Sequence, residues 1–291
     1  MKKYHSIGEL LKDYRKITNI SQADFANNID VDIRTIQRWE NGVTLIKPEK
    51  EDDIVNETLL PYQLIRNLNA NIPIHTYYDF SLRKYSLAEL TNSLPDSSWF
   101  KTYLENTTHR IRNINFEKEI EYITKYMQHF KTVSKSIALV IEESIKILPE
   151  MNLIITDESG YYSGHSFVFP INEETYKKLK SKEMDEEELN ISNLVNYKSQ
   201  ERPIFYGFDI TANCNDNIFY LINQLFRFIR DIPQQNYLYC GTPYRYDNHD
   251  LLIQFGLDKI WDEEDVISEQ GLIIDSRFYE GNFKEFLFKN E

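Results

Sequence analysis

Arg34, Thr35, Gln37 and Arg38 stand within five positions of one another, and their donors and acceptors suit the edges of bases and the oxygens of phosphates. To act together they need one helix beneath them. The stretch Ser21–Gly42, SQADFANNIDVDIRTIQRWENG, contains two helix starts, two stops and one tight turn. Ser21 is an N-cap, and Asp24 places a carboxylate in the positive first turn. Phe25, Ala26 and Ile29 form one apolar face. Asn28 and Asp30 suit the left-handed backbone that ends a helix without glycine. Asp32 caps a second helix with Ile33, Ile36 and Trp39 on its buried side, and Gly42 ends it. The four polar side chains occupy the other face. The spacing predicts a helix-turn-helix.

Elsewhere the chemistry-bearing residues are scattered. Six His lack metal-ligand spacing, and no GxSxG, Walker or Rossmann pattern occurs, so no metal site is expected. Cys214 and Cys240 read as two free thiols, without a disulfide or redox role. Glu142 and Glu143 are neighbours on a helix and face different directions, so they are not a carboxylate pair.

The stretch resembles the Cro/C1-type (Xre-like) DNA-binding domain. The residues that carry the resemblance are Leu10-Leu11, Ser21-Gln22, Phe25-Ala26 and Glu40-Asn41-Gly42, with Asp30 in place of the usual turn glycine. The resemblance implies that Gln22 and Asn41 hold backbone phosphates and that Arg34, Thr35, Gln37 and Arg38 face the groove of a double-stranded DNA operator.

Charge supports the same division. The 291-residue chain carries −13 overall, which argues against nonspecific nucleic-acid binding. Residues 1–50, however, hold nine Lys or Arg against seven Asp or Glu, leaving −15 on the rest. A mildly basic head on an acidic body fits DNA binding through one end. So small a charge excess predicts a homodimer on DNA. The length suits two domains, and no long apolar run or signal-peptide core is present, so a cytoplasmic protein with no membrane contact is expected.

Read in order, residues 1–70 form an all-α DNA-binding domain, with a first helix over Ile7–Ile17 and a break at Pro61. Residues 71–115 read as a connecting segment. From 116 to 291 the texture becomes α/β: helices to about Leu148, two strands around a turn at Gly160, an exposed helix ending in a solvated acidic run, then the strand PIFYGFDIT. The amphipathic helix NIFYLINQLFRFIRD follows, then the strand YLYCGTPY, the helix HDLLIQFG and last strands in DKIW and GLIIDS.

This order resembles the acetyltransferase fold of the GNAT superfamily. The resemblance implies a fourth strand that splays to receive pantetheine, and a Gly-rich loop whose amides hold a pyrophosphate. Here that loop reads Asn213, Cys214, Asn215, Asp216, Asn217, Ile218, without glycine or cation. Asp216 and Ile218 are expected to obstruct the approach, and Leu252 stands where the family often has a tyrosine acid. Tyr244, Tyr246 and His249 lie nearby as weak proton-donor candidates. The expectation is a multi-domain transcription regulator with a degenerate GNAT-like sensor or dimerisation domain, binding no cofactor. Active acetyl-CoA-dependent N-acetyltransfer is the alternative, and an antitoxin-like adaptor of a basic partner a further one. A small-molecule effector is the other partner considered.

Overall fold

Each of the first three helices begins on a side chain that satisfies an orphan amide. Ser6 Oγ accepts from Glu9 N (3.4 Å), Ser21 Oγ from Asp24 N (3.1 Å) and Asp32 Oδ1 from Arg34 N (2.8 Å). The computed structural model describes residues 1–88, 110–115, 117–233, 236–244, 248–264, 266–267, 273–274 and 276–288. It divides into two units. One comprises Met1–Thr91, Ser159–Ser163 and Asn213–Asn215, the other Asn92–Glu158, Gly164–Ala212 and Asp216–Glu291.

In the first unit β1 (Lys2–Tyr4) precedes α1 (Ile7–Ile17), α2 (Gln22–Asn28), α3 (Ile33–Glu40), α4 (Pro48–Thr58) and α5 (Tyr62–Leu68), and β2 (Thr76–Asp79) and β3 (Lys84–Ser86) follow. Leu10, Leu11, Phe25, Ile36, Ile54 and Leu64 are fully buried among these helices. Each such side chain removed from water contributes about 1.5–3 kcal/mol. The turn between α2 and α3 is left-handed at Asp30 alone (φ 51°), whereas Asn28 closes α2. After α3, Gly42 (φ 68°) donates to the Trp39 carbonyl (3.1 Å) and Val43 N to that of Arg38 (2.8 Å), a complete Schellman ending.

Two expectations need correction here. The unit is not all-α, because β1, β2 and β3 form an antiparallel sheet with Lys2 opposite Tyr78 and Tyr78 opposite Tyr85. That pairing carries the unit past residue 70. Ile33 is 39% exposed rather than buried. It is the first residue of α3, so its side chain leans back over the helix start, away from the layer that covers Ile36 and Trp39.

The second unit is built on a seven-stranded sheet. In chain order it runs β4 (Ile111–Asn113), α6 (Glu117–Met127), α7 (Lys135–Ile147), β5 (Leu153–Thr156), β6 (Tyr162–Ile171), α8 (Glu173–Lys180), β7 (Ile204–Ala212) and α9 (Asn215–Asp231). It continues with β8 (Leu238–Gly241), α10 (His249–Gln254), β9 (Leu257–Asp262), the hairpin β10 (Val266–Ile267) and β11 (Ile273–Ile274), β12 (Arg277–Gly281) and α11 (Lys284–Phe288). The strand order is β4-β5-β6-β7-β8-β12-β9. Every described pair in it is antiparallel except β7–β8, for which α9 supplies the crossover that parallel neighbours require. Strand β4 thus lies inside the stretch read as a connecting segment, and GLIIDS contributes to a hairpin while Arg277–Gly281 is the last sheet strand.

Strands β7 and β8 pair from Ile204–Leu238 only as far as Gly207–Gly241. On the other side of β7, Phe167 faces Asp209 and Val168 faces Gly207, so Phe208 is an extra, bulged residue. Beyond it β7 continues with β6 and parts from β8. The splay expected at the fourth strand corresponds to this parting of β7 from β8.

Candidate nucleic-acid interface and the clefts of the second unit

On α3, Arg34, Gln37 and Arg38 are exposed and Thr35 is half-buried, while Ile36 and Trp39 turn into the core. Asn41, the C-cap, is exposed and accepts from Lys12 Nζ (3.3 Å). Gln22 opens α2 and lies beside α3. Its Nε2 donates to Glu40 Oε2 (2.7 Å) and its Oε1 accepts from Gln37 Nε2 (3.4 Å). All six predicted residues therefore belong to one pair of adjoining helices.

What the sequence did not disclose is the group that fixes them. The Glu40 side chain is 1% exposed, and both its oxygens are taken by Arg15 of α1, Nε at 2.5 Å and Nη2 at 2.9 Å. Arg15 also donates to the Ile20 carbonyl (3.2 Å). This buried bidentate pair ties α1 to α3, and through Gln22 to α2. Gly8 permits the close packing of α1, since a Cβ there would lie 2.7 Å from the carbonyl oxygens of both Trp39 and Glu40. The only signal for it was Glu40 itself, an acid next to the helix end, where a carboxylate is disfavoured.

In the second unit, the splay of β7 and β8 opens onto an apolar cleft lined by residues that include Ile218, Leu252, Phe255 and Tyr279. Its volume is about 80 Å³. Ligand pockets run to about 300–1,000 Å³, so this cleft is narrow beside them as the side chains stand. Tyr239 is part of the reason. Its ring lies along β8 so that a Cβ on Gly207 would come within 2.1 Å of its hydroxyl.

The loop before α9 is equally unsuited to a pyrophosphate. Helix α9 starts at Asn215, and Asp216 is exposed in its first turn, where a carboxylate already satisfies the helix dipole. Asn213 is buried, its N donating to the Ser163 carbonyl (2.9 Å). Ile218 corrects the expectation that it obstructs the helix start. It is 5% exposed and packs in the core, one turn inside the helix. The residues present are poorly matched to the coenzyme that the acetyltransferase resemblance implies.

The proton-donor candidates separate. His249 is buried with its ring stacked on Tyr279 (centroids 5.8 Å apart) and lines neither cleft. Leu252 lines the narrow cleft, and Tyr244 lines both. Tyr246 lies outside the described residues. Cys240 is buried, which pushes its thiol up and leaves it unreactive, and Cys214 is half-buried.

A second cleft, of about 580 Å³, is walled by the loop after α6 and by the acidic turn Asp185–Glu187. Lys131 stands in its wall, its Nζ donating to Glu186 Oε1 (2.7 Å) and to the bulged Phe208 carbonyl (2.9 Å). The ammonium lies 3.6 Å from the Phe208 ring centroid and 4.7 Å from that of Tyr244. Tyr206 donates to Glu186 Oε2 (2.8 Å) and accepts from Thr242 (3.1 Å). Burial, then the Glu186 charge, hold the Tyr206 hydroxyl protonated far above the ordinary tyrosine range. The acidic run is thus not wholly a solvated face, because Glu186 turns inward to this network.

Residues 11–50 match the helix-turn-helix family model. No curated protein matches the chain. Among solved structures it is similar to Naa50 of Arabidopsis thaliana, bound to a bisubstrate analogue (9% identity, 59% of this chain and 97% of that one, TM-score 0.38). The polyamine N-acetyltransferase of Drosophila melanogaster is similar at 10% identity over 59% and 98%, TM-score 0.39. So is a mosquito arylalkylamine N-acetyltransferase-like protein, 5b, at 11% identity over 59% and 98%, TM-score 0.37. No helix among the described residues is long and apolar enough to cross a membrane.

Proposed function

We propose that this chain is a sequence-specific, DNA-binding transcription regulator whose first unit reads a duplex operator through α3. The observation that carries the reading is the exposed trio Arg34, Gln37 and Arg38 on a helix capped at both ends and fixed by the Arg15–Glu40 pair. Arg34 and Arg38 read base edges, Gln37 and Thr35 support them, and Gln22 and Asn41 meet phosphates. The protein acts as a homodimer, because one module of small positive charge has little electrostatic affinity of its own.

The second unit serves as a sensor or dimerisation module, with an acetyltransferase-like fold whose narrow cleft and Asp216-bearing loop disfavour the coenzyme. The larger cleft favours a small-molecule effector there, since about 580 Å³ lies within the range of ligand pockets. Selection of duplexes from a randomised pool by the full chain, followed by footprinting, tests the reading. Recovery of a shared sequence is expected, and binding that is indifferent to sequence overturns it.

A further inference from the structure

We propose that His5 and His75 form a two-imidazole site for a divalent late transition ion, an inference independent of the DNA-binding reading above. The two lie seventy positions apart, so no spacing along the chain discloses them. The sheet register brings them together. Strands β1 and β2 pair Lys2 with Tyr78, Lys3 with Tyr77 and Tyr4 with Thr76, and the next step of the same register sets His5 opposite His75. Tyr4, Thr76 and Tyr78 are buried, and by alternation the histidines turn to the other side, where both are exposed. Their ring centroids lie 4.4 Å apart, with the planes at 73°.

The backbone is fixed on both sides. His5 N donates to Glu9 Oε2 (2.9 Å), and the next residue, Ser6, is the N-cap of α1. Beside His75, Ile74 N donates to the Asn67 carbonyl (2.7 Å). The buried Thr76 Oγ1 donates to the Ile74 carbonyl (2.9 Å) and accepts from Asn67 Nδ2 (3.3 Å). Only the two rings remain to be ordered, which keeps the entropic cost of chelation small.

Two imidazole nitrogens on one ion, with bonds of about 2.0–2.1 Å and near-tetrahedral angles, stand about 3.4 Å apart. Rings with centroids 4.4 Å apart reach that spacing by turning about χ2, a broad torsion in histidine. The neighbouring charges tolerate a cation. Lys2 pairs with Asp13, the Met1 ammonium lies 3.5 Å from Asp79, and Lys3 Nζ lies over the Tyr77 ring (5.6 Å), while Glu9 brings a carboxylate to His5. Imidazole favours Zn²⁺, Cu²⁺ or Ni²⁺ over Mg²⁺ and Ca²⁺, which take oxygen ligands. Among the described residues no group of three or more His, Cys, Asp or Glu is placed to hold a metal, so water fills the remaining positions and the ion exchanges readily. Bound, it staples β1 to β2, and unfolding separates its two ligands.

The test is equilibrium dialysis of the chelator-treated full chain against Zn²⁺, with His5→Ala, His75→Ala and, as a control in the second unit, His129→Ala. His5→Ala and His75→Ala should each weaken binding about tenfold or more, because one ligand alone loses the chelate, while His129→Ala and circular dichroism stay as in the wild type. Zn²⁺ at ten times its dissociation constant should raise the folded-to-unfolded ratio of the wild type about tenfold. Unchanged affinity in either variant, no Zn²⁺ bound by the wild type at millimolar concentration, or displacement of Zn²⁺ by equimolar Mg²⁺ overturns the site. Should a variant fail to fold, the electron spin resonance spectrum of Cu²⁺ on the wild-type chain still decides. Hyperfine structure from two imidazole nitrogens supports the site, and from one nitrogen or none overturns it.

Discussion

Helix α3 and the start of α9 are both places where a resemblance assigns binding to a helix, and they fare differently. On α3 the binding groups are side chains, so any backbone that holds a helix and turns Ile36 and Trp39 inward leaves Arg34, Gln37 and Arg38 outward. At α9 the binding groups of the family are backbone amides, which serve only where glycines let a ligand approach. Here Asn213–Ile218 carry no glycine in that place, although β7 and β8 still stop pairing at Gly207–Gly241. A fold is a hydrophobic pattern and tolerates such replacement. A backbone cradle does not.

The sharpest way to break this contrast is to unseat α3 while leaving its outer face intact. Arg15→Ala leaves the Glu40 carboxylate buried and without its cation, and should cost the first unit about 3–5 kcal/mol, read as a fall in denaturation midpoint. A loss under 1 kcal/mol would mean that Glu40 relaxes to solvent and that the lock is unimportant.

Next in size is the face itself. Arg34→Ala should cost about 1–3 kcal/mol on a selected duplex and little on random DNA, whereas Gln22→Ala should weaken both. Equal losses on the two DNAs for Arg34→Ala would remove it from base reading.

A smaller effect should be shared by both units. Burial, with the Glu57 carboxylate adding to it, pushes the Tyr14 hydroxyl up to about 12, and burial pushes Tyr237 to about 12 although Phe283 N donates to it. A folded value raised above the unfolded one, about 10, means stability is complete below pH 10 and is lost as pH rises through 12. Alkaline titration of unfolding, with Tyr14→Phe and Tyr237→Phe flattening the fall in their own units, measures it. An unaltered pH profile in both variants would refute the assignment.

The smallest expected effect is none. Calorimetric titration of the full chain with acetyl-CoA should give no binding heat, and a low-micromolar dissociation constant would restore the enzyme reading of the second unit.

How far the sequence could be read follows the same divide. Ser21, Asp32, Asp30 and Gly42 act on their own neighbours, and their roles were legible from spacing. Glu40 and Arg15 are twenty-five residues apart, and Lys131 and Glu186 fifty-five, so no local pattern joins them. Ile33 was misread because helical period alone says nothing of where the covering layer stops. The closure of the narrow cleft by Tyr239 depends on Gly207 one strand away, and a single glycine in PIFYGFDIT gives no hint of it. Strand β1 was missed because three residues, KKY, carry no alternation and their partner lies over seventy positions on.

That last pairing has a consequence for how the chain is made. Lys2 leaves the ribosome long before Tyr78, its partner, and at about 5–20 residues per second the strand waits roughly 4–15 s for its mate. Helices of this length form in about a microsecond from local contacts. The local contacts of the intervening helices are therefore available seconds before β1 can pair with β2, and this sheet is closed after them.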